Sequence, residues 1–402
     1  MRRLTALALA RFAPLLFVTA LVAGCSTAPI LANAPAPHPG APSPSPAASR
    51  LPDPQPVVLP LDDGAHHRLT EWWYYTGHLR DVATGRWYGF EDVVFRAERG
   101  DFPVSWASHL AITDESGGRF VYAQRSQVGP GVDVSASAPA VAGSHPAFAF
   151  ALTGLDPSRP ETLSQPAWTM AGGGGRDALS ASLSPSEATA AGSAGGLGLA
   201  LSLSSTKPVA LHGGDGWIAF GPAGGSYYYS RTRMAATGTL VLDGAAHRVE
   251  GSAWFDHQWG DFISVGGGGW DWFAVDLDDG TDLTLSLVRA ADGTYPLVYG
   301  TLVAADGSAT HLPASAFRVE PTGRWTSPRT RAAYPSGWRI SVASAGLSLD
   351  VTPTVRDQEL DTRPTTGVIY WEGSQLVTGT HDARPVTGRG YVELTGYAPA
   401  AG

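Results

Sequence analysis

Residues 71–79 read EWWYYTGHL, and this run of aromatic residues indicates a β-strand. Similar aromatic or β-branched runs recur along the chain and are separated by turns that contain Gly or Asp. They lie at 87–98, 108–114, 120–128, 197–205, 227–244 and 283–307. Helical periodicity is nearly absent, and the Ala/Ser/Gly-rich stretch at 177–195 is expected to be a loop or insertion. The sequence therefore predicts an all-β fold.

A second stretch, GSAWFDHQWGDF at residues 251–262, resembles the first and also begins a series of strands with Asp-Gly turns. Two similar β-barrels or sandwiches in tandem explain this weak internal symmetry better than one very large sheet does. We therefore divide the body into residues 55–234 and 235–400, with the join near Met234–Gly238. In this interpretation 71–79 and 252–262 are the early strands of the two halves.

The composition fits a packed body and excludes some functional classes. Of 402 residues, 43% are hydrophobic and 10% aromatic, which is enough for a large core, while 49 Gly and 31 Pro fit many turns. The net charge is −9 and no basic stripe occurs, so nucleic acid is not an expected partner. Lys207 is the only lysine, which argues against Schiff-base chemistry.

Residues 1–25 have the layout of a secretory signal peptide. Arg2 and Arg3 form a positive region, an apolar run follows at 12–23, and the only cysteine, Cys25, lies in the sequence VAGCS. This arrangement resembles a bacterial lipobox, so we expect cleavage before Cys25 and lipidation of that residue. An ordinary signal peptide with an incidental cysteine is the alternative.

Residues 26–54 are rich in Pro, Ala and Ser and predict a disordered tether between the membrane and the body. Ser26 after the cysteine gives no inner-membrane retention signal, so the expected location is the periplasmic face of the cell envelope, on an outer membrane where there is one. No second apolar run is long enough to span a membrane. Without a cysteine pair the body has no disulfide.

Strand alternation assigns the polar residues of the aromatic strands to faces. In 254–259, Phe255, His257 and Trp259 share one face, and Trp254, Asp256 and Gln258 share the other. In 71–79, Glu71, Trp73 and Tyr75 lie opposite Trp72, Tyr74 and His78. In a third strand, Trp270, Trp272 and Asp276 share one face. Burying a polar group without a partner costs about 1–3 kcal/mol. These groups therefore either pair as a structural network or line a cavity, and aromatic walls with a few polar groups are typical of ligand pockets.

Other kinds of site have weaker signals. The histidines show no ligand spacing of the zinc-enzyme kind, so we expect neither a metal nor another cofactor. There is no G-x-S-x-G nucleophile motif, and the glycine runs at 172–175 and 266–269 lack the Lys-Ser/Thr of a phosphate-binding loop.

Five motifs distributed over residues 70–397 point to a known family. They are TEWWYYTGHL (70–79), GGSYYYSRTRM (224–234), AWFDHQWGDF (253–262), YWEG (370–373) and GRGYVELTGY (388–397). Together they resemble the hydroxyneurosporene synthase (carotenoid 1,2-hydratase) family and its AttH-like lipocalin relatives. The resemblance implies two tandem lipocalin-like β-barrels, with an apolar isoprenoid, polyene or lipid bound near their junction.

The resemblance also implies acid-promoted hydration or cyclisation of the ligand. His257 and Trp259 match the family's His-x-Trp pair, whereas its Tyr-x-Asp pair has no match here, and Asp256, Asp271 and Asp276 are nearby substitutes for its acid. The candidate catalytic residues are Glu71, Asp256, His257 and Trp259, with Asp256 as an acid, His257 as its orienting partner and Trp259 as a wall beside a cation or ligand. The candidate ligand-binding residues are Trp72, Trp73, Tyr75, His109, Trp270, Trp272 and Asp276. We expect Glu71, Trp73, Asp256, His257 and Trp259 to approach one cavity at or near the barrel junction.

Two other functions remain open. One is a non-enzymatic lipid-binding lipoprotein beside an envelope ABC transport system, and the other is a secreted hydrolase, the generic description of many family members. An acid directed into the pocket favours the enzyme, whereas carboxylates tied into hydrogen-bond networks favour the carrier. The expected partners are an apolar small molecule or lipid, the membrane through the N-terminal lipid and, for the carrier, ABC transporter components.

Overall fold

The computed structural model describes residues 52–154, 165–221, 224–262 and 267–398. The predicted signal peptide, Cys25 and most of the predicted tether lie outside the described residues. Within the described ranges, no helix is long and apolar enough to cross a membrane.

The described part of the chain is almost entirely β-structure, which confirms the predicted all-β fold. The strands of the first sheet are β1 (Thr70–Asp81), β2 (Trp87–Ala97), β3 (Ser105–Asp114), β4 (Arg119–Val128), β5 (Phe148–Leu152), β6 (Trp168–Gly172), β7 (Arg176–Ser182), β8 (Leu197–Ser205), β9 (Ala210–Leu211), β10 (Trp217–Ala219), β11 (Gly225–Leu242) and β12 (Ala245–Gly260). The remaining strands, in chain order, are β13 (Gly267–Leu277), β14 (Asp282–Ala290), β15 (Leu297–Val303), β16 (Ala309–Pro313), β17 (Arg318–Pro321), β18 (Arg324–Thr326), β19 (Ala333–Pro335), β20 (Trp338–Val342), β21 (Leu347–Pro353), β22 (Glu359–Asp361), β23 (Ile369–His381) and β24 (Arg384–Thr395). All of the latter belong to a second sheet except β18 and β19, which pair with each other.

The helical elements within the described residues are short. One α-helix, α1 (Pro185–Ala190), is capped by Ser184 and Glu187 in a reciprocal capping box. It lies within the stretch 177–195 that we expected to be a loop, as does most of β7. The 3₁₀ turns are Leu61–Asp63, Pro130–Val132, Ser135–Ser137, His212–Gly214, Ala314–Ala316 and Ala343–Ala345.

Both large sheets curve into barrel-like shapes, one nearly closed and the other a half-barrel, as expected for tandem lipocalin-like barrels. The antiparallel order of the first sheet is β4-β3-β2-β1-β12-β11-β8-β7-β6-β5. That of the second is β16-β15-β14-β13-β24-β23-β21-β20-β17. Each barrel encloses its own hydrophobic core, the first around Trp73 and Phe255 and the second around Phe273 and Trp371.

The two sheets divide at a different point from the predicted join. Strand β11 runs without a break across 234/235, and β12 remains in the first sheet. β12 pairs with β1, which places Trp259 opposite Glu71 and His257 opposite Trp73. The aromatic stretch at 251–262 therefore completes the first barrel beside 71–79 and does not open the second. The similarity of the two stretches reflects neighbouring strands that are both buried on two faces.

This burial on two faces positions the candidate sites. Residues of β1 and β12 alternate between the interior of the first barrel and a junction core that packs against the second sheet. Tyr74 and Trp254 belong to the junction core, together with Trp272 and Tyr391 from the second sheet. The faces that strand alternation predicted are therefore the faces found, and each faces a different compartment.

Candidate active site at the barrel junction

An aromatic cavity lies between the two sheets. Its volume is about 120 Å³. Its aromatic wall is formed by Trp72, Tyr74, Phe95, Phe220, Tyr228, Phe262, Trp270, Trp272, Tyr299 and Tyr370. Polar groups in the same wall are Glu91, Asp256, Gln258, Ser286 and Glu393. The cavity therefore combines apolar walls with a few convergent polar groups, which is typical of small-molecule sites.

Three glutamates from three strands meet at this junction: Glu91 on β2, Glu372 on β23 and Glu393 on β24. Glu372 and Glu393 are directly opposite each other in the antiparallel pairing of their strands. Like charges in that position destabilise a sheet, so the two carboxyl groups are not expected to be ionised together. Among the described residues, no Lys, Arg or His forms an ion pair with any of the three.

Burial keeps these carboxyl groups protonated at higher pH than usual. It raises the pKa of Glu393 to about 7, and it raises the pKa values of Glu91 and Glu372 well above 4.5 with help from their negative neighbours. A neutral carboxylic acid can donate a proton, which an ionised one cannot. The junction therefore contains carboxyl groups that can still donate a proton near neutral pH.

Each glutamate accepts one hydrogen bond from an aromatic side chain. The donors are Tyr370 Oη to Glu91 Oε1 at 2.8 Å, Tyr74 Oη to Glu372 Oε1 at 2.7 Å, and Trp270 Nε1 to Glu393 Oε2 at 2.9 Å. The second oxygens of Glu91 and Glu372 have no hydrogen-bond partner within the described ranges. Buried unpartnered carboxyl oxygens are costly, and they are tolerated best when the group is neutral.

His109 lies behind the cavity and extends the hydrogen-bond chain of Glu91. Its Nδ1 is 2.7 Å from Tyr370 Oη. Because Tyr370 gives its only proton to Glu91, the His109 ring nitrogen is the donor in this contact. Burial lowers the pKa of His109 to about 3, so the ring is neutral at ordinary pH. His109 thus contacts Glu91 only through Tyr370 and does not line the cavity.

Asp256 also lines the cavity, but its oxygens are fully engaged. Oδ2 accepts a hydrogen bond from Tyr228 Oη at 2.5 Å, and Oδ1 accepts from Trp254 Nε1 at 2.7 Å and from Ser230 Oγ. Burial raises the pKa of Asp256 to about 6 despite these donors. His257 points to the opposite face of β12, so it does not orient Asp256 as the sequence suggested.

The other candidate catalytic residues form a separate cluster inside the first barrel. His257 Nε2 is 3.0 Å from Glu71 Oε1, and His66 Nδ1 is 2.7 Å from the same oxygen. Trp259 stacks on His66, and Trp73 stacks on His257. Burial opposes ionisation of Glu71, but hydrogen bonds with His257 and His66 outweigh it and lower the Glu71 pKa. Burial lowers the pKa of His257.

The predicted site residues therefore fall into three groups. Trp72, Trp270 and Trp272 line the junction cavity together with Asp256. Asp276 lies on the junction face but outside the cavity wall. Tyr75 belongs to the third group, in the first-barrel core, where its hydroxyl donates to Asp177 at 2.9 Å. Glu71, Trp73, His257 and Trp259 also lie inside the first barrel. The single shared cavity that we expected is thus two separate sites.

Sequence reasoning overlooked the three junction glutamates. Glu91 occurs in YGFEDVVF, Glu372 in YWEG and Glu393 in YVELTG. A glutamate in the middle of an aromatic strand could have indicated a buried carboxyl group. When both faces of a strand are covered, its side chains are buried whichever face they are on. Two of these motifs also contributed to the family resemblance.

Comparison with known proteins identifies a matching family and solved structures with a similar fold. The model of the family described as AttH-like matches residues 50–397. A Nitrosomonas europaea crystal structure assigned to AttH has a TM-score of 0.70 and 29% identity, covering 87% of this chain and 100% of that one. Kievitone hydratase from Nectria haematococca has a TM-score of 0.61 and 16% identity, covering 85% and 93%.

CghA in complex with Sch210972 has a TM-score of 0.50 and 14% identity, covering 82% of this chain and 88% of that one. At such low identities, the likeness to kievitone hydratase and CghA shows a shared fold. No curated protein matches the chain in sequence.

Proposed function

The chain belongs to the AttH-like family, and we propose that it binds one end of an elongated apolar isoprenoid or polyene in the junction cavity and promotes its hydration or cyclisation. Glu393 is the proposed proton donor. The observation that carries the proposal is the position of this carboxyl group in an aromatic cavity, without an ion-pair partner in the described structure and with a pKa of about 7.

The proposed chemistry needs only an acid and a wall that tolerates positive charge. The carboxylic acid gives its proton to one alkene carbon, the π electrons form the new C–H bond, and the neighbouring carbon becomes cationic. Trp72, Trp270 and Trp272 line the cavity in which this cation would form, and aromatic faces attract cations. Water or a second alkene then supplies the electron pair for the new bond, and loss of a proton regenerates the acid.

The size of the cavity limits what can be enclosed. Pockets that enclose a drug-sized ligand measure roughly 300–1,000 Å³. At about 120 Å³, the junction cavity has room for the reactive end of a long molecule but not for the whole. We therefore propose that most of an elongated ligand lies outside the enclosed space.

Glu393→Gln tests the proposed acid. The amide keeps the shape of the side chain but cannot donate a carboxylic proton. We would incubate the protein with geranylgeraniol in D₂O and analyse the products by mass spectrometry, because protonation of the alkene then places deuterium on carbon. The expected result is deuterated product with the unmodified protein and none with Glu393→Gln, while native mass spectrometry still detects bound geranylgeraniol. Equal deuterium incorporation by both proteins would remove Glu393 from the mechanism.

A non-enzymatic lipid carrier is the second candidate function. It is favoured by Asp256 and Glu71, the two acids expected from the sequence, whose carboxylates are held in hydrogen-bond networks. A carrier would bind geranylgeraniol, lose affinity on Trp72→Ala and incorporate no deuterium. In both cases we propose that Cys25 carries a lipid that holds the body at the periplasmic face of the envelope, where a carrier would work beside ABC transporter components.

A further inference from the structure

Inside the first barrel, and separate from the junction cavity, two histidines converge on one carboxylate. His66 precedes β1, Glu71 is the second residue of β1, and His257 lies on β12. One ligand atom from each residue lies within 4.8 Å of the others. We propose that His66 Nδ1, Glu71 Oε1 and His257 Nε2 bind a divalent transition-metal ion of the zinc class.

The proton balance at His257 is the first support for this site. The single hydroxyl proton of Tyr229 is donated to Asp63 Oδ1, so Tyr229 Oη can only accept at its other contacts. His257 Nδ1 is 3.3 Å from that oxygen and is therefore a donor, which leaves Nε2 as the nitrogen available to an ion. His257 Nε2 lies 3.0 Å from Glu71 Oε1, and an ion bound at this nitrogen would take the place of the proton that it now shares with the carboxylate.

The remaining nitrogen of each histidine has an acceptor beside it. For His257 the acceptor is Tyr229 Oη, and for His66 it is Asp62 Oδ1, 3.5 Å from Nε2. Histidines that bind metals almost always donate their other ring N–H to such an acceptor, which fixes the tautomer and the ring orientation. The nitrogen of each ring that faces Glu71 Oε1 can therefore give up its proton to the solvent when an ion binds, while the other nitrogen keeps its proton and its acceptor.

The ring orientations are held by packing. Trp259 stacks on His66 with ring centroids 4.2 Å apart, and Trp73 stacks on His257 at 4.7 Å. Glu71 and His257 have no exposed side-chain surface, whereas His66 is partly exposed and lies before the strand begins. Two ligands are therefore rigid, and His66 is the one that can withdraw by a fraction of an ångström to reach metal-ligand geometry.

The ligand set determines the class of ion. Two imidazole nitrogens and one carboxylate oxygen are a combination that binds Zn²⁺ and leaves a fourth position open. Imidazole ligands favour Zn²⁺, Cu²⁺ and Ni²⁺ over Mg²⁺ and Ca²⁺. Arg96 Nη1 lies 3.7 Å from Glu71 Oε2, so only the other carboxylate oxygen faces the proposed ion. This site departs from our sequence-based expectation that the chain binds no metal.

The test is Zn²⁺ binding by the purified chain, measured by equilibrium dialysis and metal analysis. We expect one Zn²⁺ per chain, and we expect Co²⁺ in its place to give absorption bands of a site with nitrogen and oxygen ligands. His66→Ala should abolish this stoichiometric binding, because it removes one of three ligands. His67→Ala is the matched control: the neighbouring imidazole is 93% exposed and lies beside Glu98, so its removal should leave one Zn²⁺ per chain.

Asp62→Asn provides an independent check that does not remove a ligand. Loss of such a supporting acceptor typically weakens metal binding about 10–100-fold. Circular dichroism of each variant establishes that it is folded, and His66 and Asp62 are suitable positions because both are partly exposed. The proposal is wrong if the unmodified chain binds no stoichiometric Zn²⁺, or if folded His66→Ala binds it as tightly as His67→Ala does. None of these measurements depends on activity at the junction cavity.

Discussion

Glu372 and Glu393 lie directly opposite each other on β23 and β24, at the surface where the second sheet meets the first. Glu372 accepts a hydrogen bond from Tyr74 of β1, which comes from the other barrel. The interface between the barrels thus contains carboxyl groups that are most stable when neutral. This property connects the stability of the molecule to the acid that we propose for its chemistry.

Glu393 should make the stability of the protein depend on pH. Its pKa is raised from 4.5 to about 7 in the folded state, so the folded protein binds the proton more tightly than the unfolded chain does. The stabilising effect is complete below about pH 4.5 and is lost as the pH rises through about 7. Glu393→Gln should therefore weaken the decline in the free energy of unfolding between pH 5 and pH 8 by about 1–3 kcal/mol, measured by urea denaturation.

The control for this experiment is Glu320→Gln, because Glu320 is exposed on β17. Its replacement should leave the pH dependence as in the unmodified protein. If Glu393→Gln and Glu320→Gln behave alike, Glu393 is not the buried, protonated group described above.

An ion-pair network joins the two barrels at a second place and should contribute strongly to stability. Asp282 of β14 is fully buried and accepts hydrogen bonds from Lys207 Nζ at 2.7 Å and from Arg233 Nη2 at 2.5 Å, both from the first barrel. Asp282→Asn removes the anion that both cations contact, and breaking a buried ion pair in this way typically costs about 3–5 kcal/mol. Thermal unfolding measures the loss.

Asp350→Asn is the matched comparison for Asp282→Asn. Asp350 pairs with Arg339 at 3.2 Å, and both side chains are more than half exposed. Exposed pairs contribute about 0–1 kcal/mol, so this variant should unfold near the temperature of the unmodified protein. Similar losses in the two variants would show that Asp282 does not hold the barrels together.

The all-β fold and the strand faces could be predicted because they depend on local patterns. Alternation alone put His257 and Asp256 on opposite faces of one strand, and the structure agrees. The expectation that both would reach one cavity failed because it required 251–262 to open the second barrel. The β1–β12 pairing that contradicts it joins residues far apart in the chain, and no local pattern specifies such pairing.

The junction glutamates could not be identified as acids from the sequence for a related reason. The raised pKa of Glu393 depends on burial that arises only when the sheets pack together. The raised pKa of Glu372 also depends on Glu91, which is far away in sequence. Likewise, His66 precedes Glu71 closely in the chain, but their convergence with His257 needs the pairing of β1 with β12. The sequence shows the type of each of these residues, but it does not show their burial or their neighbours in the folded protein.

Cys25→Ser tests the proposed anchor. Without a thiol at the cleavage position no lipid can be attached, so the variant should move from the membrane fraction to the soluble fraction after cell lysis. Immunoblotting of both fractions measures the change, and Ser26→Ala is a control that keeps the cysteine. Continued quantitative recovery of Cys25→Ser with membranes would contradict the lipobox interpretation.

Trp270→Phe should shift the pH dependence of the proposed reaction. Trp270 Nε1 donates to Glu393 Oε2, and this bond stabilises the ionised form and lowers the pKa of Glu393. Phenylalanine keeps an aromatic face in the cavity but cannot donate. Hydrogen bonds to charged groups contribute about 1.5–3 kcal/mol, so the pKa of Glu393 should rise by about 1–2 units. Because the reaction requires protonated Glu393, deuterium incorporation from D₂O should persist to higher pH in this variant.

Trp272→Phe separates this effect from the loss of an indole in the cavity wall. Trp272 also lines the cavity, but its Nε1 donates to Tyr228 Oη at 3.0 Å and not to Glu393. Its replacement can reduce affinity for geranylgeraniol, yet it should leave the pH at which incorporation is half-maximal unchanged. An upward shift in Trp270→Phe alone is expected if Glu393 gives the proton. Equal shifts in both variants, or a shift in neither, would mean that another group is the acid, and Asp256, which receives its hydrogen bonds from Tyr228, Trp254 and Ser230, would then be the next to test.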